Sequence, residues 1–216
     1  MAVDGGIDDR LATRATPRLF IAVPLAEHAR ASVETLVDDV RSRLVRPDDG
    51  ADRQRKRRSD IRWVRMDGLH LTLRFLGPTP VEQVATLASA VDSAASGGGP
   101  FAVEISGGGA FPSATKPRTL WLGITDGQDG LTRLADRLSG ALTAAGWPPE
   151  TRPFRGHLTL GRSDGMPDGR MAVTLLTEAA AAFQTRFEAE RLVLYESVTG
   201  GGPARYERVH EARLEG

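Results

Sequence analysis

One short run occurs twice in this chain, as His70-Leu71-Thr72-Leu73 and His157-Leu158-Thr159-Leu160, and each copy sits in the same succession of apolar patterns. The repetition constrains the fold more than any other feature, because two similar units in one chain must pack as two similar lobes. Each series reads strand, helix, His-Leu-Thr-Leu strand, helix, strand. In the first, a strand over Arg18 to Val23 precedes a helix with Val33, Leu36, Val37, Val40 and Leu44 on one face. Strands over 61–66 and 69–76 follow, then a helix through Val84, Leu87, Ala88 and Val91 and a strand over 101–105. The second series opens with a strand over 119–124 and a helix bearing Leu131, Leu134, Leu138, Ala141 and Leu142. A strand over 154–162, a helix over 172–183 and strands over 187–195 and 206–214 complete it. Thr79-Pro80-Val81-Glu82 predicts a capped helix start, and Gly107 to Lys116 reads as a glycine-rich turn region.

The spacing of the copies locates an insertion. His70 precedes Phe101 by 31 residues and His157 precedes Phe187 by 30, so the downstream halves match. Upstream, Leu19 to His70 spans 51 residues but Thr119 to His157 only 38. The excess is about the length of the segment 46–60, which holds Pro47, Asp48, Asp49 and Gly50 followed by the basic run Arg53 to Arg58. We therefore expect a loop inserted at about 46–60, a loose polar tail over 1–16, and one two-lobed domain over 17–214. The fold class that follows is α+β and bilobal, with pseudo-twofold-related lobes, each a mainly antiparallel sheet flanked by helices, around a central cleft.

Composition narrows the chemistry. Lys plus Arg and Asp plus Glu are each 28, so no global field draws in a polyanion, and an anionic substrate must be recognised locally. Zero cysteines exclude a thiol nucleophile, a disulfide framework and a zinc knuckle. No apolar run approaches the length of a spanning helix, so the expectation is a cytoplasmic protein with no membrane association.

Alternation along a strand places His and Thr of each motif on one face and both leucines on the other. Leucines then anchor the strand while the polar faces of the two copies converge on one site. Paired imidazoles supply one neutral base and one protonated acid near neutral pH, and threonine hydroxyls donate to anionic oxygens. A substrate needing a base for water, an acid for a leaving oxygen and donors for non-bridging oxygens is a phosphodiester, and that chemistry requires no cofactor. Neither motif carries an Asp or Glu at ligand-like spacing, so no metal site is assigned. Two arginines compete as a phosphate clamp. Arg74 follows Thr72 by two and shares its face by alternation, whereas Arg162 lies five beyond His157. The remaining histidines, His28 and His210, lack such context and read as surface residues. Phe20, Trp63, Phe111, Trp121 and Tyr195 are the aromatic candidates for stacking a base, most of them better suited to the core.

With these motifs the chain resembles the two-histidine phosphoesterase superfamily, specifically the RNA 2′,3′-cyclic phosphodiesterases historically called 2′-5′ RNA ligases. The resemblance runs from about Pro17 to Leu214. It includes Arg18-Leu19-Phe20-Ile21-Ala22, Leu69 to Gly77, Gly109-Ala110-Phe111-Pro112 and Leu192 to Ser197. It implies in-line attack of water on a cyclic phosphorus at an RNA end or a small cyclic nucleotide, leaving a 2′-phosphate. In that scheme His157 resembles the general base and His70 the general acid. Thr72 and Thr159 match the phosphate-binding threonines and Arg162 the arginine after the second motif, which decides between the two arginines. Gly156 departs from the pattern, standing where similar sequences often have Pro. A monomer is expected. Ligation through a 2′-5′ linkage at the same site, or a non-catalytic nucleotide- or RNA-binding module, are the competing readings.

Overall fold

The computed structural model of the chain describes residues 16–44, 61–164, 167–200 and 202–216. The expected tail, except Thr16, and the whole basic insertion lie outside them. Nine strands and four α-helices follow in the order β1 (Arg18–Pro24), α1 (Glu27–Leu44), β2 (Ile61–Trp63), β3 (His70–Pro78), α2 (Val84–Ala95), β4 (Phe101–Ser113), β5 (Lys116–Asp126), α3 (Gln128–Ala144), β6 (His157–Ser163), α4 (Pro167–Ala180), β7 (Gln184–Ala189), β8 (Arg191–Gly200) and β9 (Gly202–Arg213). These counts hold among the described residues.

Two antiparallel sheets form, in the orders β3-β1-β8-β9 and β2-β6-β5-β4-β7. The bilobal α+β expectation is met, but the lobes do not coincide with the sequence copies. The last strand of the first series, β4, joins the second sheet between β5 and β7, and β8 and β9 fill out the first. Helices are exchanged as well: α1 packs on α4 and β7 behind the second sheet, while α3 packs on α2 and β3 behind the first. Each lobe thus holds a helix from either copy, which ties the two sheets together through one shared core.

The apolar stripes pack as their spacing requires. Ala29, Val33, Leu36, Val37 and Val40 are the buried positions of α1, and Gly130, Leu131, Leu134, Leu138 and Leu142 those of α3. Five consecutive residues of β1, Leu19 to Val23, are buried, because this strand lies inside its sheet between β3 and β8.

Three local expectations differ. Thr79 forms no cap: its hydroxyl donates to the Gly77 carbonyl (3.1 Å) across a turn that Gly77 makes at φ 74°, and a 3₁₀ turn over Val81–Gln83 precedes α2. The glycine-rich region 107–113 is strand rather than turn. It pairs with β5 because the Trp121 ring lies flat where a side chain at Gly109 would stand; a Cβ there would come within 2.6 Å of Trp121 Cζ2. Finally, the single strand expected over 187–195 is two, β7 and β8, separated by Glu190 and belonging to different sheets.

Candidate active site

The two motif strands meet across the gap between the sheets, with Cα atoms of β3 and β6 within 8 Å of one another. Leu71 and Leu158 are fully buried, as is Leu160, while His70, Thr72, His157 and Thr159 are half-buried on the cleft side. Period-two alternation accounts for this as far as the threonines.

Beyond them each strand carries a bulge at the same place. On β3, Thr72 pairs with Ala22 and Arg74 with Ile21, leaving Leu73 unpaired; on β6, Thr159 pairs with Trp121 and Gly161 with Leu120, leaving Leu160 unpaired. One extra residue reverses the facing of all that follow. Arg162, which unbroken alternation would put on the leucine face, returns to the cleft beside Thr159. Arg74 goes the other way. The expectation that Arg74 shares the face of Thr72 is therefore wrong. Its guanidinium donates to the Pro148 carbonyl and lies 3.5 Å from Glu150 Oε2, with the side chain only 10% exposed. It fastens the loop after α3 and does not face the cleft. The residue of β3 in register with Arg162 is Phe75, paired with Phe20 as Arg162 pairs with Thr119.

The two imidazoles are held alike. His70 Nδ1 lies 2.7 Å from the Gly68 carbonyl and His157 Nδ1 2.8 Å from the Arg155 carbonyl, each two residues upstream. A carbonyl only accepts, so Nδ1 carries the hydrogen in both rings and Nε2 is the nitrogen left for chemistry. Gly156 sits inside the second of these loops. The space beside it is filled by Gln128, whose Oε1 would be 2.6 Å from a Cβ, so close packing rather than a loosened strand accompanies the missing proline.

Their surroundings differ. His70 lies in an aromatic box, 4.7 Å from the Phe20 ring centroid, 6.0 Å from Tyr195 and 4.9 Å edge-on from Tyr206. Burial there pushes the imidazole down from its ordinary 6.5 to about 4, opposed by the hydrogen bond to Gly68. Burial likewise raises the Tyr206 hydroxyl above its ordinary range, with the nearby Arg162 guanidinium opposing. Among the described residues His157 has one aromatic neighbour, Phe111, edge-on at 5.2 Å.

A cavity of about 510 Å³ opens between the sheets. His70, Thr72, Thr159 and Arg162 line it together; His157, one register step from Thr159 on the same face, lies outside its lining. Two kinds of residue escaped sequence reasoning. Phe75 lines the cavity and is 68% exposed, and Arg18, Ser197 and Thr199 line it as well. Only the bulge reveals Phe75, which alternation assigns to the leucine face. Among the stacking candidates, Phe20 is buried against His70, and Trp63 packs under Arg41 at 5.2 Å. His28 and His210 are occupied elsewhere, by the Arg186 carbonyl and by Asp92. Among the described residues no three His, Asp or Glu side chains gather as a metal site would require, and no helix is long and apolar enough to cross a membrane.

Two facing antiparallel sheets, each presenting an imidazole and a threonine from a bulged motif strand, define a protein of the two-histidine phosphoesterase class. The sequence matches the 2′-5′ RNA ligase superfamily over residues 25–201, and the chain belongs to that family. It is 30% identical over 154 residues to the RNA 2′,3′-cyclic phosphodiesterase of Aeropyrum pernix, covering 71% of this chain and 86% of the relative. To the RNA 2′,3′-cyclic phosphodiesterase of Thermotoga maritima it is 26% identical over 200 residues, 92% of this chain and 96% of the other. The crystal structure of E. coli LigT complexed with 3′-AMP shares the fold, with a TM-score of 0.66 at 24% identity over 92% of this chain and 98% of that one.

Proposed function

We propose that this chain hydrolyses RNA 2′,3′-cyclic phosphate ends to 2′-phosphomonoesters, acting as one catalytic unit over residues 17–214. The observation that carries the reading is the pair of imidazoles in equivalent local frames, each with Nδ1 tied to a carbonyl so that Nε2 is left for chemistry, on the strands that bring Thr72, Thr159 and Arg162 to one cavity. The names of the relatives from A. pernix and T. maritima support the same activity.

In this reading the cyclic phosphate binds with its non-bridging oxygens toward Thr72, Thr159 and the Arg162 guanidinium, which donates two parallel hydrogen bonds. His157 Nε2 takes a proton from water as its oxygen forms the new bond to phosphorus in line with O3′. The P–O3′ bond breaks and His70 Nε2–H protonates the departing oxygen, leaving a 3′-hydroxyl and a 2′-phosphate. Burial keeps His70 neutral in the empty cleft. Its proton must therefore arrive with the substrate, whose negative charge favours the imidazolium. The protein works as a monomer in the cytoplasm, on RNA ends or small cyclic nucleotides, and the basic segment 46–60 serves longer RNA.

The test is to incubate the purified protein, with EDTA present, with RNA oligonucleotides ending in 2′,3′-cyclic phosphate. A 2′-phosphate product supports the reading. A 3′-phosphate product, a joined 2′-5′ product only, or no turnover while the ligand still binds would each overturn it.

A further inference from the structure

In a chain whose positive and negative side chains balance at 28 each, the cavity between the sheets is not balanced. Among its described lining residues stand two guanidiniums, Arg18 and Arg162, and no carboxylate. The phosphodiesterase reading uses Arg162 for the cyclic phosphate, a group with one negative charge, and leaves Arg18 without a task. Arg18 opens β1 two residues before Phe20, so alternation turns both toward the cleft. It pairs with Pro78 at the end of β3, whereas His70 at the start of that strand pairs with Pro24. The arginine and the imidazole thus enter the cavity from opposite ends of the same strand pair. On the neighbouring strand β8, Glu196 pairs with Leu19, which brings Ser197 and Thr199 to the Arg18 end of the cavity. An adjoining cavity of about 690 Å³ lies across Gly68, Leu69 and Tyr206, which line both spaces. Its described lining holds five carboxylates against three guanidiniums, and Arg30, Arg191 and Arg208 are each paired there with Glu27 or Glu211. A polyanion is repelled on that side and attracted on the Arg18 side.

We propose that Arg18, with the hydroxyls of Ser197 and Thr199, forms a second phosphate subsite. It holds the internucleotide phosphate on the 5′ side of the terminal nucleotide, so that the site grips an RNA end more tightly than a cyclic mononucleotide. This rests on the phosphodiesterase reading for the ligand class. With the cyclic phosphate against Thr72, Thr159 and Arg162, the terminal ribose spans the cavity and its 5′ oxygen carries the next phosphate toward Arg18. There the guanidinium donates to the non-bridging oxygens, and the two hydroxyls donate beside it. A contact of this kind reads the backbone and not the base, so it serves RNA ends of any sequence.

Equilibrium binding tests this apart from turnover. The probes are two ApA dinucleotides ending in a 2′-phosphate, one with the natural linkage and one with an uncharged methylphosphonate in its place. At low salt wild type binds the natural dinucleotide about 5-fold more tightly, which is what one exposed ion pair contributes at the upper end of its usual range. Its log Kd also rises more steeply with log salt, by about 0.7, because one more counterion is released. Arg18→Gln loses both differences, and Arg18→Lys keeps the salt slope with part of the preference. Equal binding of the two dinucleotides by wild type, a comparison that needs no variant to fold, overturns the proposal. A preference that survives in Arg18→Gln overturns it too, as does failure of wild type to bind either probe. An Arg18-dependent preference in a protein that does not hydrolyse cyclic phosphate ends would remove the phosphodiesterase reading and leave the second subsite standing.

Discussion

If His70 is the acid, substrate binding must carry a proton into the cleft, and the number can be worked out. Free His70 titrates at about 4 because the Phe20, Tyr195 and Tyr206 box excludes water from it. A cyclic phosphodiester brings one negative charge to about 4 Å from the ring; at an effective dielectric constant near 20 that attraction is about 4 kcal/mol, enough to return the imidazole to a value near 7. At pH 5.5 the free ring is then almost entirely neutral and the bound one almost entirely protonated, so binding takes up about 0.9 proton. The measurement uses His157→Ala, which removes the second imidazole from the proton count and prevents turnover. A nucleoside 2′,3′-cyclic phosphate is titrated calorimetrically in buffers of different ionisation enthalpy, the ligand itself carrying one charge throughout. The slope of heat against buffer enthalpy gives the uptake. Adding His70→Gln should abolish it. Uptake below about 0.2 proton, or uptake that persists without His70, refutes the argument and returns the acid role to another group.

The other expected outcomes are these. Because His70 is held neutral when folded, the unfolded chain binds the extra proton between pH 6.5 and about 4; stability is full above 6.5 and falls by about 3 kcal/mol as pH drops through that window. Urea unfolding of wild type against His70→Gln should show that slope only in wild type. Arg162→Ala should lower kcat/KM on a cyclic nucleotide by about 10- to 150-fold, from the loss of roughly 1.5–3 kcal/mol of charge-assisted hydrogen bonding, with Arg162→Lys intermediate; an unchanged value would discard the clamp. With a nitrophenolate leaving group, which departs without a proton, His70→Ala should recover most of a roughly 10²- to 10⁴-fold deficit while His157→Ala stays slow. Rescue in the opposite sense would exchange the two roles.

What the sequence made legible was the part governed by local periodicity. Leu71 and Leu158 point inward, and His70, Thr72, His157 and Thr159 face the cleft, because four residues of strand obey alternation without help. The helix stripes of α1 and α3 were legible for the same reason. The failures begin where pairing partners decide. A bulge is a property of two strands, and neither Leu73 nor Leu160 announces one, so Arg74 was assigned to the cleft and Phe75 was passed over. The choice of Arg162 came from family resemblance, and the register now supplies its physical reason. The exchange of β4, β8 and β9 between sheets was equally out of reach, since strand periodicity says which face is apolar but not which sheet receives it.

The bulges also bear on how a doubled scaffold can serve a substrate without twofold symmetry. Up to the threonines the two strands are interchangeable: the same four residues, the same Nδ1 anchor two residues upstream, the same unpaired leucine. A site equivalent in every respect would bind a nucleotide in two opposed orientations and assign neither acid nor base. The equivalence is broken by what surrounds the motifs. Three aromatic rings surround His70 and make it costly to charge, whereas among the described residues His157 meets Phe111 alone, edge-on. At the equivalent register positions just past the bulges, Arg162 offers a charge and Phe75 a π-face. In the proposed reading the division of labour between the histidines would rest on these differences, which lie outside the repeated motif.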